Sequence, residues 1–230
     1  MPRPFSPIED SRKTLAAHVH ERIRDAILTR TLAPGMRLDQ IQLAESLNVS
    51  LAPVREALKS LEAEGLVTII PRRGAFVTES SVGDLDELYF ARALIEGETI
   101  YHAVPRLTSD DIRDLQDLIN QMKLAAEEDV SSYIHLNREF HLRIYTALNN
   151  QHLIQVIRNL WERSELYRYR YMLGVHNTER VHAEHEAILE ACRRGDQSGA
   201  REAAIMHIRN TQQELHDYLQ AEMNGSETDS

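Results

Sequence analysis

Residues 37–77 read RLDQIQLAESLNVSLAPVREALKSLEAEGLVTIIPRRGAFV, and the spacing inside this stretch decides the fold. Ile41, Leu43, Ala44 and Leu47 give a short amphipathic helix, which Asn48-Val49-Ser50 breaks with turn-forming and capping residues. Ser50 is a suitable N-cap for a second helix starting at Leu51, and Pro53 falls in its first turn, where a missing N–H does no harm. Val54, Ala57, Leu58 and Leu61 recur at helical spacing as a core face, while Leu51, Ala52, Arg55 and Lys59 make the opposite face. Gly65 ends this helix, and the apolar runs at 66–70 and 75–77 flank Pro71-Arg72-Arg73-Gly74. The pattern predicts a hairpin with a basic tip.

A helix of this kind fits the major groove of B-DNA, and a neighbouring hairpin with two arginines reaches the phosphates or minor groove beside it. The plainer alternative is a helical domain with a capping hairpin and solvated arginines. Turn, cationic outer face and basic wing coincide, which favours a winged helix-turn-helix that contacts DNA through Ser50, Leu51, Ala52, Arg55, Lys59, Arg72, Arg73 and Gly74.

On the N-terminal side, Leu15, Val19, Ile23 and Ile27 step by four with Ala16 and Ala26 alongside, predicting a first helix that stops at Leu32-Ala33-Pro34-Gly35. Residues 1–10 hold three prolines and no apolar periodicity and read as a flexible arm, leaving 11–78 as the DNA-binding domain and 79–82 as linker. Beyond Val82 no strand is convincing. Helices are expected at 83–103, 109–128, 131–148, 151–173, 178–194 and 197–221, punctuated by Pro105, Asn149-Asn150, Gly174 and Gly195-Asp196. The chain is thus mostly α: an N-terminal winged helix-turn-helix plus a C-terminal antiparallel six-helix bundle over 83–222, with a polar tail at 223–230.

The net charge of −10 is unevenly placed. The first 80 residues carry 11 Lys and Arg against 10 Asp and Glu, and the remainder 15 against 26, so the acidity belongs to the bundle. A single cysteine, Cys192, excludes an internal disulfide framework and suits a reducing cytoplasm. No apolar run has membrane-spanning length, and the N-terminus lacks the apolar segment of a signal peptide, so no membrane partner is expected.

Nine of the eleven histidines follow residue 100. Asn137 and His141 are four apart on one helix, and His185 and His207 lie equally far, 11 residues, on either side of Asp196. If the last two helices form a hairpin around Asp196, the two imidazoles stand at one height. On spacing alone this is either a site for a divalent transition metal such as Zn or Ni or a set of polar residues at bundle seams. Arg92 either aims at a bound carboxylate or pairs with Glu96 one turn on. Arg163, Tyr167 and Tyr171 share one face and either line the same cavity or belong to the core.

The run PGMRLDQIQLAESLNVSLAPVREALKSLEAEGLV resembles the N-terminal domain of GntR-family bacterial transcription regulators over residues 15–78, including the VS..PVREAL core and the EGLV entry to the wing. One departure is Leu51, where that family usually carries arginine, which removes an expected DNA contact. Residues 83–222 resemble the FCD ligand-binding domain through NREFH at 137–141, AEHEAILEACRRGD at 183–196, His207, and RALIE at 92–96. That resemblance implies a metal held by Asn137, His141, His185 and His207, and an effector, a small organic acid, near Arg92, to which their shared helix face adds Arg163 and Tyr167 as candidate contacts. Asn137 stands where aspartate is commoner and attracts a dication less.

These readings imply a homodimeric repressor that binds a palindromic operator in double-stranded DNA, with Leu85, Leu88, Leu94, Leu115 and Leu118 as candidate interface residues. A metal-free effector-binding regulator is the alternative. A helical-bundle metalloenzyme is disfavoured: there is no HExxH, and only one ExxH, Glu179 to His182, where a di-iron bundle needs two.

Overall fold

Three apolar stripes at helical spacing build the N-terminal unit in the computed structural model, which describes residues 14–79, 81–128, 130–174 and 178–226. Helix α1 (Leu15–Leu28), α2 (Gln40–Ser46) and α3 (Leu51–Ala63) pack through Val19, Ile23, Ile27, Val54, Leu58 and Leu61, all buried. Each such aliphatic side chain contributes roughly 1.5–3 kcal/mol on leaving water. Strands β2 (Val67–Ile70) and β3 (Gly74–Val77) form the expected hairpin, in register Val67↔Val77 to Ile70↔Gly74. A two-residue strand β1 (Arg37–Leu38), not foreseen in the sequence, pairs with β3 and completes a sheet of order β1-β3-β2.

The stops follow the expected chemistry. Gly65 adopts φ +76° and lets Leu66 N–H reach the Leu61 carbonyl at 2.9 Å; Asn48 at φ +52° does the same for Val49 and Ala44. Ser50 departs from expectation: it occupies the N-cap of α3 but makes no side-chain capping bond. The N3 residue whose N–H it would accept is Pro53, which has none. Two apolar assignments also change. Leu15 is 56% exposed, its place on the core stripe taken by Ala16, and Ile41, in a helix too short to bury a full face, is 59% exposed.

The second unit begins at Ser80 and is helical throughout its described residues. It comprises α4 (Val82–Ala103), a 3-10 turn (Val104–Arg106), α5 (Ser109–Glu128), α6 (Val130–Thr146), α7 (Gln151–Gly174), α8 (Thr178–Arg193) and α9 (Gln197–Ser226). Helix α9 continues through Ser226, past the expected end at residue 221. The arm at 1–10 and the end of the polar tail lie outside the described residues. Ser81 caps α4 by accepting from Asp84 N–H at 3.0 Å, and Gly195 at φ +66° turns α8 into α9.

Leu85, Leu88, Leu115 and Leu118 do not form an outer apolar surface; all four are buried in the bundle's own core. The reason is that α4 packs against α6, α7 and α9, so leucines on several of its sides are enclosed. Of the five, only Leu94 is exposed, at 58%, with Phe90 beside it at 65%. Helices α4 and α9 run antiparallel, Gln212 bonding Asp86 and Arg201 pairing with Glu98. They meet so closely at Gly97 that an added Cβ would lie 2.8 Å from Ile205 Cδ1. Among the described residues no helix is long and apolar enough to cross a membrane.

Candidate DNA-binding face and metal centre

The outer face of α3 carries Ala52, Arg55 and Lys59 exposed and Leu51 half-buried. Arg55 Nε donates to Gln40 Oε1 at 3.1 Å, which steadies the guanidinium against the start of α2. In the wing turn Arg72 takes the left-handed conformation at φ +65°, and Arg73 lies 5.8 Å above the Phe76 ring. Gly74 is at φ +107°, and a Cβ there would meet Arg37 Nε at 3.6 Å. Exposed Arg37 therefore joins the wing cations, a residue the sequence reading missed because strand β1 is too short to leave a periodicity. Arg55→Ala is expected to weaken specific DNA binding by roughly 1–3 kcal/mol, whereas Arg72→Ala or Arg73→Ala should weaken binding to all sequences and flatten its salt dependence. Titrations of operator and scrambled duplex at two salt concentrations check this; unchanged affinity in all three variants would move the DNA face elsewhere.

In the bundle, α6 supplies Asn137 and His141 one turn apart, α8 supplies His185 and α9 supplies His207, and all four are buried. The three imidazoles converge. Each offers one ligand nitrogen within 4.8 Å of the others, and ring centroids are 4.8–5.1 Å apart. His185 Nε2 and His141 Nε2 stand 3.2 Å apart. Zinc–nitrogen bonds of roughly 2.0–2.1 Å in a tetrahedron separate ligand nitrogens by roughly 3.3 Å, so this spacing fits a shared cation. Phe140 packs against His141 and His185, and Tyr145 and Trp161 against His141, which keeps the donors in an apolar wall.

Glu184, to which the sequence reading gave no role, holds the third imidazole. Its carboxylate accepts from His207 Nδ1 at 2.8 Å and Asn210 Nδ2 at 2.7 Å and is also paired with Arg180. Burial pushes the Glu184 carboxyl up, but the bonds from His207 and Asn210 outweigh it and leave it below the usual carboxylate range. Arg180 in turn pairs with Glu214 at 2.7 Å.

Of the expected effector residues, Arg92 lies in a buried network. Its Nε donates to Glu96 at 2.7 Å, and the same carboxylate accepts from Tyr145 Oη at 3.0 Å and Trp161 Nε1 at 2.9 Å. Burial opposes the Arg92 charge, but Glu96 more than offsets that and keeps the guanidinium protonated. Tyr145 and Trp161 touch both this network and His141, so the ion pair borders the histidine cluster. Arg163 and Tyr167 are engaged elsewhere: both reach Asp84 near the start of α4, at 3.3 and 2.7 Å. The Tyr171 side chain lies outside the described residues. His182 packs on Tyr133, apart from the three converging imidazoles.

Comparison with known proteins agrees with both halves. Residues 15–77 match the model of the bacterial regulatory proteins of the gntR family, and residues 87–210 match the FCD domain. The chain is 34% identical over 151 residues to the transcriptional regulator McbR of Escherichia coli K12, covering 65% of this chain and 68% of that protein. It is 26% identical over 203 residues to the transcriptional repressor RspR of the same organism, covering 88% and 89%. The solved structure of E. coli McbR/YncC superposes with a TM-score of 0.74 at 27% identity, covering 90% of this chain and all of that one. These relatives are regulators rather than enzymes, and with both unit architectures matched, the chain belongs to the GntR family of bacterial transcription regulators, with an FCD domain behind its winged helix-turn-helix.

Proposed function

We propose that this regulator is a homodimeric repressor of a two-fold related operator, relieved by a small organic acid that binds beside a divalent metal in the bundle. The observation that carries the proposal is the convergence of three buried imidazoles from α6, α8 and α9, linked through Tyr145 and Trp161 to the buried Arg92–Glu96 pair. Asn137, His141, His185 and His207 would hold the metal, which supplies positive charge and open coordination positions for a carboxylate. Arg92 shares Tyr145 and Trp161 with His141 through Glu96 and is the effector contact best placed to orient an acid; Arg163 and Tyr167 would take part only by leaving Asp84. An acid shifts DNA affinity only if it binds one arrangement of the bundle better than another. Ligands drawn from α6, α8 and α9 provide such arrangements. The repressor sign follows the relative named a repressor, RspR.

The test is operator affinity with and without a panel of small carboxylic acids, in zinc-loaded and in chelator-treated protein. A response confined to the loaded protein supports the metal link. An equal response in metal-free protein rejects it and favours direct recognition through Arg92.

Support for the dimer comes from the outer face of α4 and α9. Exposed Phe90 and Leu94 form an apolar pair on this face, with Asp86, Glu87, Arg201 and Arg209 around them. The pair is centred near position 92 of α4, so a two-fold axis there sets Phe90 of one copy on Leu94 of the other. Such a face fits a second copy of itself. Phe90→Asp with Leu94→Asp should give a monomer by sedimentation and lose at least about tenfold in operator affinity, because a single winged helix reads only one half-site. A dimer that survives both changes would place the interface on another face.

A further inference from the structure

We infer that Glu184 is a positioning residue for metal binding: it fixes which nitrogen of His207 faces the cluster, and without it His207 is a poor ligand. The inference rests on the metal reading above. Glu184 is adjacent in sequence to His185 on α8, yet its side chain turns to α9 and accepts a hydrogen bond from His207 Nδ1 at 2.8 Å. A neutral imidazole has one N–H and one lone pair, so donation from Nδ1 leaves Nε2 as the basic nitrogen. His141 and His185 meet through Nε2 as well. The three donors are therefore of one kind, and Glu184 makes the third conform.

The carboxylate is itself held. Asn210, on the same face of α9 one turn beyond His207, donates to its Oε1 at 2.7 Å while His207 uses Oε2, and Arg180 pairs with it from one turn earlier on α8. Both oxygens are thus directed, and the His207 ring is fixed in rotation as well as tautomer. The Arg180 guanidinium continues to Glu214, so the same group of side chains ties α8 to α9 where the histidines are presented. A carboxylate behind a ligand imidazole also raises the basicity of the nitrogen in front.

A purely structural tie between α8 and α9 predicts a different outcome, and a double-mutant cycle separates the two. Zinc affinity is read by competition with a chromophoric chelator for the full-length protein and for Glu184→Ala, His207→Ala and the double variant, with cobalt(II) visible spectra recorded in parallel. Glu184→Ala should weaken zinc roughly 10–100-fold and alter the cobalt spectrum. In the His207→Ala background it should change neither, because no third imidazole remains to be oriented. Glu184→Asp should recover part of the loss. A Glu184→Ala protein that binds zinc as tightly as the parent overturns the inference, as does an equal loss in both backgrounds, which would mark Glu184 as a helix tie only. A parent protein that binds neither ion overturns the metal reading and this inference together.

Discussion

Replacing His207 by alanine is expected to lower zinc affinity roughly a thousandfold, since each ligand of a buried site carries a few kcal/mol of the total. The variant should remain folded and bind operator DNA with near-parental affinity, because its imidazole sits in the bundle and not in the DNA-binding unit. It should lose the response to carboxylic acids. Asn137→Asp is the counterpart: it adds an anion to an otherwise neutral donor set and should tighten retention of the ion. Chelator competition measures both variants, with thermal unfolding as the control for folding. Zinc affinity within threefold of the parent for His207→Ala would remove that residue from the site.

Glu96→Ala should destabilise the bundle by roughly 3–5 kcal/mol, the range for breaking a buried ion pair from one side. The side chain is 1% exposed and its two oxygens serve Arg92, Tyr145 and Trp161. Removing it leaves a buried guanidinium without its counter-charge and two ring donors without an acceptor. Glu96→Gln, which keeps the shape but not the charge, should also be destabilising. Replacing both partners, as in Arg92→Met with Glu96→Leu, should recover much of the loss, because two desolvated charges disappear together. Urea unfolding followed in the bundle checks the series; a loss below about 1 kcal/mol for Glu96→Ala would mean the pair is solvated in practice. The pairing also bears on effector binding, since an incoming carboxylate must approach Arg92 by an edge that Nε does not already commit to Glu96.

Most helix limits were legible because local chemistry sets them. Asn48, Gly65, Asn149 and Gly195 all adopt positive φ where the chain leaves a helix, and Ser81 caps where expected. The His185–His207 meeting was legible too, because a hairpin of two rigid helices converts equal sequence distance into equal height. What stayed hidden depends on long-range geometry. The bond from His207 to Glu184 joins two helices across 23 residues, and nothing in a single helix's periodicity marks it. The leucines of α4 and α5 show the same limit: spacing tells that a face is apolar, but not whether its own bundle or another molecule covers it. Ser50 failed as a side-chain cap through an interaction that is local yet negative, the missing N–H of Pro53.

The wing turn sets two selective pressures against each other at one position. Arg72 sits at φ +65°, a conformation that costs a residue bearing a Cβ about 1–2 kcal/mol relative to glycine. Variants chosen only for heat resistance would therefore drift toward glycine or asparagine there. Variants chosen for holding an operator would keep the cation and tolerate the strained backbone. Arginine at this position therefore keeps a cation at the tip of the wing at the expense of an easier backbone.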